Sequence, residues 1–163
     1  MNLVIIDTGC ANLSSVKFAF DRLNIQTEIS RDLEKIKSAD KLLLPGVGTA
    51  IAAMKNLQDR QLIETIQNAT QPMLGICLGM QLMTEFSTEG NVETLNLMSG
   101  KTELIPNTGL PLPHMGWNRV RYAADHPLFA GIEQDSHFYF VHSYAVLPNE
   151  NTIATADYGV PFS

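Results

Sequence analysis

Pro72-Met73-Leu74-Gly75-Ile76-Cys77-Leu78-Gly79-Met80-Gln81 is the stretch on which the fold turns. Pro72 to Ile76 is a short apolar run of strand length, and Leu78, Leu82, Met83 and Phe86 recur with helical spacing directly after it. A strand that meets a helix with no polar linker leaves only a tight turn at the junction. Cys77 occupies that turn, with a glycine two residues to either side.

The same strand-then-helix rhythm repeats upstream. Leu3-Val4-Ile5-Ile6-Asp7 is a continuous apolar run, as a strand covered on both faces requires. Thr8 to Asn12 reads as a turn, with Gly9 as the breaker and Asn12 as the candidate helix cap. Leu13, Val16, Phe20 and Leu23 form an amphipathic stripe. Gln26 to Ser30 is a second strand and Asp32 to Ala39 a short helix. Lys41-Leu42-Leu43-Leu44 is a third strand, ended by Pro45-Gly46-Val47-Gly48. Ala50, Ala53, Met54 and Leu57, then Leu62, Ile63 and Ile66, mark two helical pieces. This order predicts an α/β architecture, with a mostly parallel central sheet between helical layers.

Beyond residue 100 the pattern changes. Pro106, Pro111 and Pro113 break the chain into short pieces, and His114 to Val120, His137 to Val146 and Thr152 to Asp157 read as strands. The chain stops at Val160-Pro161-Phe162-Ser163 with neither a polar tail nor a closing helix, so residues 1–163 are expected to be one domain whose C-terminal part is absent.

Composition limits the function classes. A chain of 163 residues with 45% apolar and 17% charged residues suits one soluble domain. A net charge of −6 argues against a dedicated nucleic-acid binder. No apolar run approaches the roughly 20 residues of a membrane helix, and Met1 to Asp7 is no export signal. Cys10 and Cys77 are too few for a disulfide framework and are expected to be reduced thiols in the cytoplasm. No His/Cys/Asp cluster has metal-ligand spacing, and no cofactor is implied.

Gly75-Ile76-Cys77-Leu78-Gly79 matches a Gly-x-nucleophile-x-Gly elbow with Cys as the nucleophile. Small neighbours let strand and helix approach closely, and the turn pushes the sulfur over the carboxyl end of the sheet. A helix amino terminus favours thiolate, and the Leu78 N–H points toward an oxyanion formed at the sulfur. Pro45-Gly46-Val47-Gly48 ends the neighbouring strand, where its peptides could supply a second donor. An inert cysteine between two packing glycines, and a plain strand-to-helix turn, account for either motif taken alone.

Together these segments resemble class I glutamine amidotransferases. Gly75 to Gln81 is similar to the family's nucleophile segment, and Pro45 to Gly48 to its oxyanion loop. Pro113-His114-Met115-Gly116-Trp117-Asn118 and Tyr139-Phe140-Val141-His142-Ser143-Tyr144 narrow the resemblance to glutaminase subunits of imidazole glycerol phosphate synthase. The resemblance implies a flavodoxin-like three-layer sandwich, here missing its last strands and helix. It implies Cys77 as nucleophile and Leu78 with Val47 and Gly48 as oxyanion donors. Gly46, Gln81, Glu89, Ser143 and Tyr144 are the implied glutamine contacts. It also implies a (β/α)₈-barrel cyclase as heterodimeric partner, with Asn12, Met115, Trp117 and Asn118 as interface candidates.

The family's general base is a His followed by Pro and Glu, and no such segment occurs here. Of His114, His126, His137 and His142, only His126 precedes a proline, and Leu128 follows it. The chain alone is therefore expected to be inactive. Two other readings stay open: a different cysteine-elbow amidotransferase or amidase, and a non-catalytic flavodoxin-like binding module.

Overall fold

Strands that are apolar along their whole length need cover on both sides; Leu3–Ile6 and residues 42–46 receive it, whereas Leu74 is 40% exposed. In the computed structural model, which describes residues 1–123 and 126–163, β1 (Leu3–Ile6), β2 (Thr27–Ser30), β3 (Lys41–Gly46) and β4 (Met73–Cys77) form a parallel sheet in the order β2-β1-β3-β4. Alternate residues face opposite ways. Leu3, Ile5 and Leu43 are buried under Leu13, Val16 and Phe20 of α1 (Leu13–Asp21). Val4, Ile6, Leu42 and Leu44 lie on the other face, in a larger core with Ile36 of α2 (Leu33–Lys37), Ala53 and Leu57 of α3 (Ala50–Asp59), Ile66 of α4 (Ile63–Gln67) and Leu82 of α5 (Leu78–Leu82). The three layers are thus fixed by strand parity.

Sheet order decides where a ligand can sit. The chain leaves β1 for β2 on one side and returns to β3 on the other, so the carboxyl ends of β1 and β3 flank a topological switch point. The turns after β1 and β3, with the neighbouring β4 end, hold Gly9, the Gly46–Gly48 bend and Cys77.

The chain forms two compact units, Met1–Met98 and Ser99–Ser163. The first closes with a short hairpin of β5 (Phe86–Ser87) and β6 (Val92–Glu93). In the second, β7 (Lys101–Leu104) pairs with β11 (Tyr144–Val146), and β8 (His114–Arg119) with β10 (His137–His142). There β12 (Ala154–Asp157) takes β9 (Arg121–Tyr122) and β13 (Pro161–Phe162) as its neighbours. Ile105, Val120, Ala145, Ala156 and Phe162 make its small core. No helix among the described residues is long and apolar enough to cross a membrane.

Two sequence expectations need correction. The helix after Cys77 ends at Leu82, and Phe86 lies in a strand, because the stripe of Leu78, Leu82, Met83 and Phe86 runs on into a hairpin where Thr94 and Leu95 bond back to Glu85 and Leu82. The run from His137 to Val146 is two strands. Ser143 breaks it, and the halves pair with different partners.

Packing of α5 against β3 has no spare room. A Cβ on Gly79 would lie 1.7 Å from the Leu44 carbonyl oxygen, and one on Gly46 would lie 3.0 Å from the Gly79 nitrogen. Gly79→Ala forces backbone from backbone, so its penalty is expected to exceed about 3 kcal/mol, the upper end of ordinary overpacking. Gly48, with φ +97° and nothing within 4 Å of an added Cβ, should lose only about 1 kcal/mol as Ala. Urea midpoints of the two variants test this ordering.

Candidate active site

Cys77 ends β4 and caps α5 with φ 55° and ψ −119°, backbone that a non-glycine residue rarely adopts. The flanking glycines show why the turn closes. A Cβ on Gly75 would lie 2.6 Å from Met80 Cα and 2.7 Å from Met83 Sδ. With Gly79 pressed on Leu44, neither position accepts a side chain. Cys77 is exposed, whereas Leu78 next to it is buried. The elbow therefore presents a thiol to solvent from a rigid base, which is the opposite of an inert packing cysteine.

Gly46 pairs with Cys77 across the parallel ladder, so the glycine turn lies beside the elbow. Val47 and Gly48 are exposed. The Val47 N–H donates to the Cys10 carbonyl at 2.7 Å, so in this arrangement it is not a ready oxyanion donor. Sequence reading gave the stretch around Cys10 only a turn with Gly9 as the breaker, because a carbonyl acceptor carries no side-chain signature. Here Thr8, fully buried, spans from the Cys10 N–H to the Pro45 carbonyl through its hydroxyl.

Glu89 lies at the tip of the β5–β6 hairpin, and its Oε2 accepts the Ala50 N–H at 2.9 Å. Ala50 opens the helix that follows the glycine turn, so the carboxylate sits at the positive end of α3, next to that turn. Gln81 is half-buried in α5, one helical turn beyond Cys77. Asn12 caps α1, accepting the Ser15 N–H at 3.2 Å, and is exposed.

In the second unit, Ser143 sits at the break between β10 and β11. Its carbonyl accepts the Ile105 N–H at 2.9 Å, and the Tyr144 carbonyl lies 2.9 Å from His142 Nδ1. The β8–β10 ribbon separates the three residues drawn from it as interface candidates. Met115 and Trp117 lie outward, 62% and 70% exposed, opposite Val141 and Tyr139. Asn118 is on the other face, donating to the Asp157 carbonyl at 2.7 Å.

The description of class-I glutamine amidotransferases matches residues 4–159. The chain belongs to this family. It is 87% identical over 161 residues to the imidazole glycerol phosphate synthase subunit HisH of Mannheimia succiniciproducens, covering 99% of this chain and 83% of that protein. It is 76% identical to the HisH subunit of Haemophilus influenzae, covering all of this chain and 82% of that one. A crystal structure of a glutamine amidotransferase shares the fold, with a TM-score of 0.71 at 14% identity over 97% of this chain and 86% of that one.

A class-I amidotransferase needs a proton acceptor beside its thiol, and each histidine of this chain can be assessed for the role. None lies within Met1–Met98. His126 Nδ1 accepts the Leu128 N–H at 3.2 Å and starts a 3₁₀ turn. His137 is exposed on β10. His114 and His142 form a hydrogen-bonded chain whose polarity can be deduced. The Tyr144 carbonyl only accepts, so His142 Nδ1 donates; in the neutral ring Nε2 then accepts from His114 Nδ1, 2.8 Å away. His114 Nε2 then accepts from Asn118 Nδ2 at 3.4 Å, while Asn118 Oδ1 is held by the Arg119 N–H. Burial favours the neutral form of both rings, and in that form all four ring nitrogens have hydrogen-bond partners.

Burial first, then the neighbouring His142, pushes the His114 pKa below the ordinary value of 6.5, and burial pushes His142 the same way. The unfolded imidazoles take up protons near pH 6.5, while the folded ones resist. The stabilisation is full above that pH and is lost as pH falls through 6.5 toward the folded values. The Tm of the chain should therefore drop between pH 7 and pH 5, and His142→Gln should flatten that dependence in calorimetry.

Proposed function

We propose that this chain is the glutamine-hydrolysing part of an imidazole glycerol phosphate synthase, with Cys77 as the nucleophile. The observation that carries the reading is the left-handed turn at an exposed Cys77, clamped by two glycines that admit no Cβ. A backbone forced into so rare a conformation around a solvent-facing thiol serves presentation of that thiol. The identity to HisH subunits supports the placement in histidine biosynthesis.

In this reading the Cys77 thiolate adds to the side-chain amide carbon of glutamine, and the carbonyl oxygen becomes an oxyanion. The Leu78 N–H and a peptide of Val47-Gly48 receive that charge, the latter once Val47 has left the Cys10 carbonyl. Ammonia leaves with one added proton, and water then cleaves the glutamyl thioester, releasing glutamate and regenerating the thiol. Glu89 and Gln81 hold the α-ammonium group, and the Gly46 main chain contacts the substrate beside Cys77. The backbone of Ser143 and Tyr144, at the break between β10 and β11, receives the α-carboxylate. Residues 1–163 then serve as one amidotransferase domain, consistent with a family match that runs across both units.

Ammonia is consumed by a (β/α)₈-barrel cyclase in the cytoplasm, which makes imidazole glycerol phosphate and an aminoimidazole carboxamide ribotide. Trp117 and Met115, with Tyr139 and Val141, form an exposed apolar ribbon face suited to that partner. Asn12, exposed at the start of α1, and Asn118 are further contact candidates. Trp117→Ala should weaken the complex by about 30-fold or more, the loss typical of an aromatic hot spot, as read by calorimetric titration.

A chloroketone analogue of glutamine tests the nucleophile. It should alkylate Cys77, excess glutamine should protect, and Cys77→Ser should abolish labelling. Labelling indifferent to glutamine would remove the proposal. None of the four histidines is followed by Pro-Glu, so the 163 residues should release glutamate slowly, with turnover lowered by up to about 10⁶-fold if no other group serves as base.

A further inference from the structure

The turn after β1 is held from two directions. On one side it bonds to the oxyanion loop, through Cys10 O to Val47 N–H at 2.7 Å and Thr8 Oγ1 to Pro45 O at 3.3 Å. On the other side stands Arg60, the residue that caps the C-terminus of α3. Its Nη1 lies 3.1 Å from Asp7 Oδ2, and the other oxygen of that carboxylate accepts the Gly9 N–H at 3.1 Å.

The guanidinium also lies against the turn itself. A Cβ on Gly9, whose φ is +75°, would lie 2.6 Å from both Nε and Nη2 of Arg60 and 2.8 Å from Cζ. The planar group thus fills the space that a side chain at residue 9 would need. Arg60 and Asp7 are only 26% and 28% exposed, whereas the partners in every other ion pair among the described residues are 39% exposed or more. A shielded, doubly anchored pair of this kind restrains its backbone far more than a surface pair does.

We propose that Arg60 is a positioning residue for the oxyanion loop, acting through Asp7 and Gly9 to hold the Cys10 carbonyl on the Val47 N–H. Helix α3 emerges from the oxyanion loop at Ala50, and its last turn returns through Arg60 to brace the loop's neighbour. The two ends of one helix thereby set the two sides of one hydrogen bond. The catalytic meaning of this brace rests on the assignment of Val47-Gly48 as oxyanion donors, whereas the brace itself does not.

Amide hydrogen exchange in the 163-residue chain, read residue by residue by NMR, tests it. Val47 is 52% exposed, so protection of its N–H reports the bond to Cys10. Arg60→Gln should speed Val47 exchange by about tenfold or more, with Ile5 in the buried centre of the sheet changed less than about twofold. Arg60→Lys keeps the charge but lacks the flat group against Gly9, and it should restore only part of the protection. Asp7→Asn should reproduce Arg60→Gln, and combining the two should add little. Equal acceleration at Val47 and Ile5 would mean general destabilisation and overturn the proposal, as would unchanged exchange at Val47. Loss of glutamine protection in the chloroketone experiment would instead remove the nucleophile assignment and leave the brace standing.

Discussion

The contact between Gly79 and the Leu44 carbonyl governs the site. It lets α5 lie directly on β3, and only that closeness makes β4 turn into α5 within a single residue. Cys77 then has no choice of conformation. The sulfur, the Leu78 N–H and the Gly46 bend are placed together by backbone packing, before any side-chain hydrogen bond is considered. In the proposed reaction this fixes the Leu78 N–H in advance, whereas the Val47 N–H must first leave the Cys10 carbonyl.

Much of the first unit was legible because its signals are local and redundant. Continuous apolar strands, helical stripes and glycine turns each specify one element, and they agree in order. The spacing of Gly75 and Gly79 marked a candidate elbow but fitted an inert packed cysteine equally, until the other segments were read with it. The second unit was harder to read. Its strands are short and half exposed, and the change of partner at Ser143 depends on pairing with β7 and β8, distant in sequence. Nothing in the run from His137 to Val146 marks that break.

The parts of the site built from main chain or from long-range pairs were not legible. Cys10 contributes a carbonyl, and any residue would supply one. Arg60 reads as an unremarkable helix-end cation until the fold brings it to Gly9. Glu89 was named by resemblance, but its bond to the Ala50 N–H joins residues 39 apart. His114 and His142 are 28 apart and meet only through the antiparallel register of β8 and β10.

The dihedral angles of Cys77 carry an evolutionary implication. A residue with a Cβ held at φ 55° and ψ −119° carries strain of about 1–3 kcal/mol, a penalty that glycine escapes. Drift governed by thermal robustness alone would steadily replace this cysteine with glycine. A lineage that retains sulfur at the bend is under continuous selection for chemistry, and a paralogue released from that selection should betray itself first at residue 77.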